Sequence, residues 1–172
     1  MNHSTLLVFL FCLFFSQSRA EEPTGIRFFN GSWQNVLAEA RRQNKPIFVD
    51  VYTSWCPPCR RMAREAFPNP TVGAKFNEHF ISYQVDAEVG EGAELAKRYA
   101  IASYPTALYF IPSGEVVHRG VGYAGLNAML QQADMVLKMP KVRQARRKRP
   151  IVNDTSLPVL SSPTDSVKAD SL

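Results

Sequence analysis

An α/β fold of layers around a mixed sheet is the class this sequence predicts, and three observations carry the prediction. Ile47 to Tyr52 is an apolar, β-branched and aromatic run interrupted only by Asp50, which suits a strand buried on both faces. Stretches with apolar residues at helical spacing stand before it, after it and between the later strand-like runs. Pro112-Ser113-Gly114 makes a turn between two further short runs, so the last two strands should pair antiparallel as a hairpin. The resulting order is αβα(α)βαββα, with parallel strands joined through helices, then the hairpin and a closing helix. No internal repeat is present.

The elements follow in order. Glu21 to Asn30 reads as a connector. Ser32 is placed to cap a helix in which Trp33, Val36, Leu37 and Ala40 recur at i, i+3, i+4 and i+7, and Asn44-Lys45-Pro46 stops it. After the Ile47–Tyr52 strand a second helix is expected from about Cys56 to Phe67, ended by Pro68-Asn69-Pro70. Thr71 to His79 is helical again, with Val72, Phe76 and Phe80 spaced for one face. Phe80 to Val85 alternates as a strand, Phe80, Ser82 and Gln84 on one side and Ile81, Tyr83 and Val85 on the other. Asp86 to Gly92 reads as a loop and Ala93 to Ala100 as a short helix. The strand Ala107 to Ile111, its hairpin partner Glu115 to Arg119 and a helix from Leu126 to Leu137 complete the core, which is expected to end at Lys138. Trp33, Phe76, Phe80 and Tyr99 read as core, and His79 and His118 as surface groups.

The chain has 172 residues, enough for one domain with tails, and an apolar fraction of 45%, that of an ordinary globular protein. Residues 1–20 stand apart. Leu6 to Phe15 is an unbroken apolar run, and Ser18 and Ala20 fit a small-x-small cleavage pattern, so a secretory signal cut after Ala20 is expected. The n-region carries only His3 and the terminal amine as cationic groups, which leaves an uncleaved N-terminal anchor as the alternative. The formal net charge of +5 is unevenly placed. Glu21 to Leu137 carries 11 basic against 12 acidic residues, whereas Lys138 to Arg149 carries seven basic residues and no acidic one. The basic character belongs to that short segment. Pro150 to Leu172, rich in Ser, Thr, Pro and Asp, is expected to be disordered. The organisation read from the sequence is thus signal 1–20, connector 21–31, domain 32–138 and tail 139–172.

Cys12 leaves with the signal, so Cys56 and Cys59 are the only cysteines of the mature chain. A disulfide between them closes too small a loop to remove much chain entropy, and an exported protein meets an oxidising compartment; both favour redox chemistry over a structural staple. Pro57 and Pro58 suit a helix opening at Cys56, because proline in the first turn gives up an amide that has no intrahelical partner there. At such a start the free amides and the positive dipole end favour thiolate over thiol, and Arg60 and Arg61 add to the field.

The stretch Phe48-Val49-Asp50-Val51-Tyr52-Thr53-Ser54-Trp55-Cys56-Pro57-Pro58-Cys59-Arg60, with Tyr104-Pro105-Thr106 before a strand and a Gly-rich turn after the hairpin, resembles the thioredoxin superfamily. The likeness covers roughly Ser32 to Leu137. The helix after Glu65-Ala66-Phe67-Pro68-Asn69-Pro70 looks like that of the exported members, including the membrane-linked disulfide interchange proteins. The resemblance implies a thioredoxin fold with an extra N-terminal helix. It implies that Cys56 is the exposed nucleophile and Cys59 the buried resolving thiol, and that Asp50 is a buried carboxylate that takes the second thiol's proton with water between, its pKa raised by desolvation. It also implies that Pro105 is a cis-proline beside the disulfide, that the Tyr104 backbone pairs with extended substrate, and that Trp55 flanks the site. No bound cofactor is called for. Three departures stand out: Pro57-Pro58 where thioredoxins carry Gly-Pro, Tyr104 where a small aliphatic residue is usual, and Ser82 where a lysine often lies near the buried acid.

Other chemistries fit less well. Zinc needs four ligands, and two cysteines would require His79 or His118 from other elements. Attachment of c-type haem requires His after the second cysteine, and position 60 is Arg. The expectation is therefore a periplasmic, monomeric thiol-disulfide oxidoreductase that reduces protein disulfides with electrons from a membrane-linked donor. The competing readings are a disulfide oxidase or isomerase, and a thioredoxin-fold binding module or chaperone that docks clients at Tyr104-Pro105. Lys138 to Arg149 is read first as a solvated extension of the last helix and next as a contact for an anionic membrane surface. Nucleic acid is not an expected partner, since no aromatic residues are interleaved in the basic run.

Overall fold

The structure, a computed structural model, describes residues 24–147. The expected signal, the start of the connector and the tail beyond Arg147 lie outside the described residues. Among the described residues, six helices and four strands follow one another as α1 Trp33–Gln43, β1 Ile47–Tyr52, α2 Pro57–Glu65, α3 Pro70–His79, β2 Ile81–Asp86, α4 Gly90–Arg98, β3 Thr106–Phe110, β4 Val116–Val121, α5 Leu126–Lys138 and α6 Pro140–Arg147. The sheet order is β2-β1-β3-β4. β1 and β2 are parallel, and β3 is antiparallel to both β1 and β4. The expected mixed sheet with an N-terminal helix in front of it is therefore present.

Side-chain alternation along β1 divides the core in two. Ile47, Val49 and Val51 face a cluster with Trp33, Val36 and Leu37 of α1 and Leu95 and Ala96 of α4. Phe48 faces the other way, into Met62 of α2, Val72 and Phe76 of α3, and Met129, Ala133 and Val136 of α5. Asp50, two residues after Phe48, points to the same side as Phe48, beneath α2. Local signals set the helix ends: the Ser32 side chain accepts the Asn35 amide at the start of α1, and Asn44 closes it in the left-handed region at φ 50°. Asn69 caps α3, with Pro70 in its first turn.

β3 is joined to β2 through a helix yet runs against β1, where the helix-linked strands were expected parallel. The nine residues of α4 do not carry the chain to the far end of the sheet. The helix stops at Tyr99, Ala100 takes a positive φ of 48°, and the Arg119 guanidinium donates to the carbonyls of Tyr99 and Ala100 that the helix leaves open. The chain thus returns to the end of the sheet that it left, and β3 begins beside the C-terminal end of β1, with Thr106 opposite Val51.

Two boundaries also differ. α4 starts at Gly90, inside the stretch read as a loop, because Gly92 packs where a Cβ would sit on the Asp86 carbonyl; this glycine serves close packing and not a turn. The core does not end at Lys138. Residues 140–147 form α6, whose Val142 is fully buried in the second cluster while Lys141, Arg143, Arg146 and Arg147 stay exposed. The connector is likewise built in: Phe28 bridges Ser82 at the free edge of β2, and Ile26 donates its amide to the Phe67 carbonyl at 2.7 Å. His79 and His118 are half-buried and not surface groups, and burial pushes both imidazoles below their ordinary pKa.

The docking of α6 through one side chain can be measured. Val142→Ala should lower the unfolding free energy by about 2 kcal/mol, from lost burial and the cavity left behind. Chemical denaturation of the full chain reads this directly, and an unchanged midpoint would show that α6 is not part of the core.

Candidate active site

β1 ends at Tyr52, and a short turn through Thr53, Ser54 and Trp55 delivers the chain to Cys56, the N-cap of α2. Pro57 and Pro58 occupy the first positions of the helix. The Cys56 sulfur accepts the Cys59 amide at 3.2 Å and is bonded to the Cys59 sulfur, with the two Cα atoms 5.3 Å apart. One sulfur thus takes the part that an N-cap oxygen usually plays, at the end of the helix where positive potential concentrates. In this disulfide form Cys56 is 2% exposed and Cys59 5%. The exposed thiol that the family resemblance implies at Cys56 is therefore covered while the sulfur is turned back over the first helical turn.

Around the pair, long side chains fix the loops. Arg60 donates to the Ser54 carbonyl at 3.1 Å, bracing the turn before Cys56. Arg61 donates to the Tyr123 carbonyl at 2.9 Å and lies 5.3 Å from the centre of the Tyr123 ring, whose hydroxyl donates to Glu65 at 3.3 Å. α2 is thereby tied to the loop that follows β4. Trp55 is 60% exposed; its indole N–H donates to both Glu88 carboxylate oxygens at 3.1 Å, and its ring meets Tyr104 edge-on at 6.1 Å.

The Tyr104–Pro105 peptide is cis. Gly122 donates its amide to the Pro105 carbonyl at 2.8 Å, and the Thr106 hydroxyl donates to the Ser103 carbonyl at 2.6 Å, so the loop is held from two sides. The reversed direction of β3 is what brings this loop to the same end of the sheet as the cysteines. No hydrogen bond to the Tyr104 amide or carbonyl is made among the described residues.

Asp50 is 1% exposed. Burial raises its pKa from 3.8 to about 7, and one hydrogen bond from Gln84 opposes the shift, Nε2 donating to Oδ2 at 3.0 Å. The β1–β2 register places Gln84 directly opposite Asp50 and Ser82 opposite Phe48. Ser82 is buried with no partner for its hydroxyl among the described residues, so the side chain that meets the acid is Gln84. Tyr109 on β3 is buried on this same face, donates to Gln132 of α5 at 3.1 Å and has its own pKa raised, first by burial and then by Asp50.

The structure therefore brings Cys56, Cys59, Trp55, Tyr104 and Pro105 to one end of the sheet, with Asp50 on the sheet face that α2 covers. Gln84, Glu88 and Tyr123 belong to the same neighbourhood and were not singled out from the sequence, since each meets the site through strand register or a loop contact distant in the chain. Among the described residues, no group of three or more His, Cys, Asp or Glu is placed to hold a metal ion.

A four-stranded mixed sheet with a Cys-x-x-Cys disulfide at a helix N-terminus is the arrangement of the thiol-disulfide oxidoreductases. A family model described as the thioredoxin-like domain matches residues 33–136. The chain belongs to that family. It is 39% identical over 93 residues to thioredoxin H4 of Arabidopsis thaliana, covering 54% of this chain and 73% of the relative. It is 30% identical over 95 residues to the thiol:disulfide interchange protein DsbD 1 of Pseudomonas aeruginosa, covering 49% of this chain but only 16% of that much longer protein. The solution structure of a proposed disulphide-isomerase from Bacteroides thetaiotaomicron superposes with a TM-score of 0.61 at 38% identity, covering 68% of this chain and 97% of the other.

The raised pKa of Asp50 makes stability depend on pH. Unfolded, the carboxyl ionises near its ordinary value, and folded near 7, so between those values unfolding releases a proton and native stability falls as pH rises. Asp50→Asn retains an acceptor for Gln84 and abolishes the ionisation. Thermal unfolding should find the variant more stable than the parent at about pH 8, by a few kcal/mol, with the gain gone at about pH 4. Equal melting temperatures at the higher pH would contradict the buried acid.

Proposed function

We propose that this protein is an exported thiol-disulfide oxidoreductase of the periplasm that reduces disulfides in other proteins through the Cys56/Cys59 couple. The observation that carries the reading is the meeting, at one end of the sheet, of a Cys56–Cys59 disulfide at a helix N-terminus with a Tyr104–Pro105 loop whose Tyr104 backbone is left open. An extended substrate would pair with that backbone as an added strand, with Trp55 alongside. In the reduced protein the Cys56 thiolate attacks one substrate sulfur, the substrate disulfide breaks, and a mixed disulfide forms. The Cys59 thiolate then attacks the Cys56 sulfur, and the second substrate thiol leaves. The substrate gains two electrons and the Cys56/Cys59 pair loses them. Likeness to a disulfide interchange protein supports the reductive direction and a membrane-linked donor that restores the dithiol. The exposed arginines of α6 support contact with an anionic membrane surface.

Two experiments test the redox reading. Cys56→Ser should abolish insulin reduction and Cys59→Ser should accumulate mixed disulfides; a Cys56 variant with full activity would sink the redox reading and favour a binding module. The reduction potential, equilibrated in defined thiol buffers, should fall near thioredoxin's value of about −270 mV, whereas one near about −120 mV would make the protein an oxidant. For the surface contact, binding to vesicles of anionic phospholipid should be measurable at low salt and lost at high salt. Salt-independent binding, or none, would remove the membrane from the account.

A further inference from the structure

Asp50 has two oxygens in different surroundings. Oδ2 accepts from Gln84 Nε2 at 3.0 Å, while Oδ1 is buried with no hydrogen-bond partner among the described residues. Gln84 lies on β2, the edge strand of the sheet, directly across from Asp50, and is half-buried. Its side chain therefore spans from the solvent edge of the sheet to the acid. An amide N–H on Oδ2 already occupies one of that oxygen's lone pairs and is accepted best by an oxygen that carries no proton, so the proton of the neutral acid is favoured on Oδ1.

We propose that Gln84 is a positioning residue for Asp50: by engaging Oδ2 it favours Oδ1 as the oxygen that takes up the Cys59 proton when substrate is released. The inference rests on the thiol-disulfide reading above and goes beyond it by assigning the atom and the residue that selects it. In the mixed disulfide, the Cys59 S–H proton passes through intervening water to Asp50 Oδ1. The thiolate so formed attacks the Cys56 sulfur, the Cys56–Cys59 bond forms, and the bond between Cys56 and the substrate sulfur breaks. The electron pair leaves with the substrate as a thiolate, which is protonated by solvent, and Oδ1 returns its proton to solvent. Among the described residues, the titratable groups that register the Asp50 charge are Tyr52 on β1, which also has Asp86 nearby, and Tyr109 on β3; both tyrosine hydroxyls are held neutral by burial and by the acids near them. Among the described residues, Gln84 is thus the one donor on the carboxyl.

Because its N–H favours the ionised acid, removing it and strengthening it should act in opposite directions. The full chain, reduced and mixed with excess of a chromogenic aromatic disulfide, releases one aromatic thiolate as Cys56 attacks and a second as Cys59 resolves. The rate of the second release against pH reports Asp50. Gln84→Met, nearly isosteric but without a donor, should move the inflection up by about half to one pH unit. Gln84→Lys, reaching in from the edge with a charged donor, should move it down by at least as much. Neither should change the first release by more than about twofold. Asp50→Asn should remove the inflection, and Gln84→Met added to it should then have no effect on the second release. Since the two shifts have opposite sign, either Gln84 variant decides the matter if the other fails to fold, and a merely structural role predicts loss in both. Shifts of the same sign, no shift, or an inflection that survives Asp50→Asn would overturn the proposal while leaving the exchange reaction standing. Release that persists in Cys56→Ser would overturn the exchange reading itself.

Discussion

The first turn of α2 is the constraint on which the rest of the site depends. Its opening amides must be satisfied by something other than the helix, and here the acceptor for the Cys59 amide is the Cys56 sulfur. The same few atoms form the disulfide, the helix cap and the place where the helix dipole is strongest. Pro57 and Pro58 lower the demand further, since neither brings an amide that needs a partner. The cap also fixes where β1 must stop. Thr53 to Trp55 have to turn the chain from the sheet onto the helix, and Arg60 reaches back to the Ser54 carbonyl to hold that turn. A cysteine elsewhere on the helix would have the ring but not the field.

What sits beneath the helix follows from alternation on β1. Three apolar side chains face α1 and α4, so the intervening positions must face α2, α3 and α5, and one of these is Asp50. A carboxyl at the centre of a sheet costs stability whenever it is ionised, and nothing in the packing of two apolar clusters requires it. With Gln84 as its one hydrogen-bond donor among the described residues, a neutral one, the acid is left able to gain and lose a proton near neutrality. A lysine in that role would stabilise the anion more strongly and keep the proton off at lower pH. The amide of Gln84 leaves the acid near 7.

The redox motif and the outline of the fold were legible because their signals are local. The Ser32 cap, the stop at Asn44 to Pro46, the buried run 47–52 and the hairpin turn each depend on a handful of neighbouring residues, and each lies where periodicity and turn chemistry put it. Pro105 could be placed only by the family likeness, since a proline before a strand is ordinarily trans. Partners set by register were out of reach. Ser82 and Gln84 lie on the same face of one strand, and only the pairing of Ile47 with Ile81 decides which of them stands opposite Asp50. The direction of β3 was hidden for a similar reason: it depends on how far α4 travels and on Arg119, twenty residues downstream, closing that helix. Gly92 read as a loop residue because close packing and turn formation both select glycine. Val142 was lost among basic neighbours, since one apolar residue in a charged run carries no periodicity.

Charge is arranged so that the two ends of the sheet act separately. Burial first, and nearby cations that include Arg146 of α6 after it, lower the pKa of Lys45 and of His79, which lie just before β1 and β2, so the basic helix sits at the N-terminal end of the parallel strands. The cysteines follow the C-terminal end of β1, a six-residue strand away. At about 3.3 Å per residue that is roughly 20 Å, two or more Debye lengths in physiological salt, so solvent screens the exposed arginines of α6 from the sulfurs. The field at Cys56 is then set by α2 itself and by Arg60 and Arg61, whose hydrogen bonds to the Ser54 and Tyr123 carbonyls hold them close to the pair. Changes in the basic run should leave thiol chemistry intact, and changes in the first turn of α2 should leave surface attraction intact. A protein whose proposed task is to meet substrate with one end and a charged surface with the other needs that independence, and the six residues of β1 supply the distance.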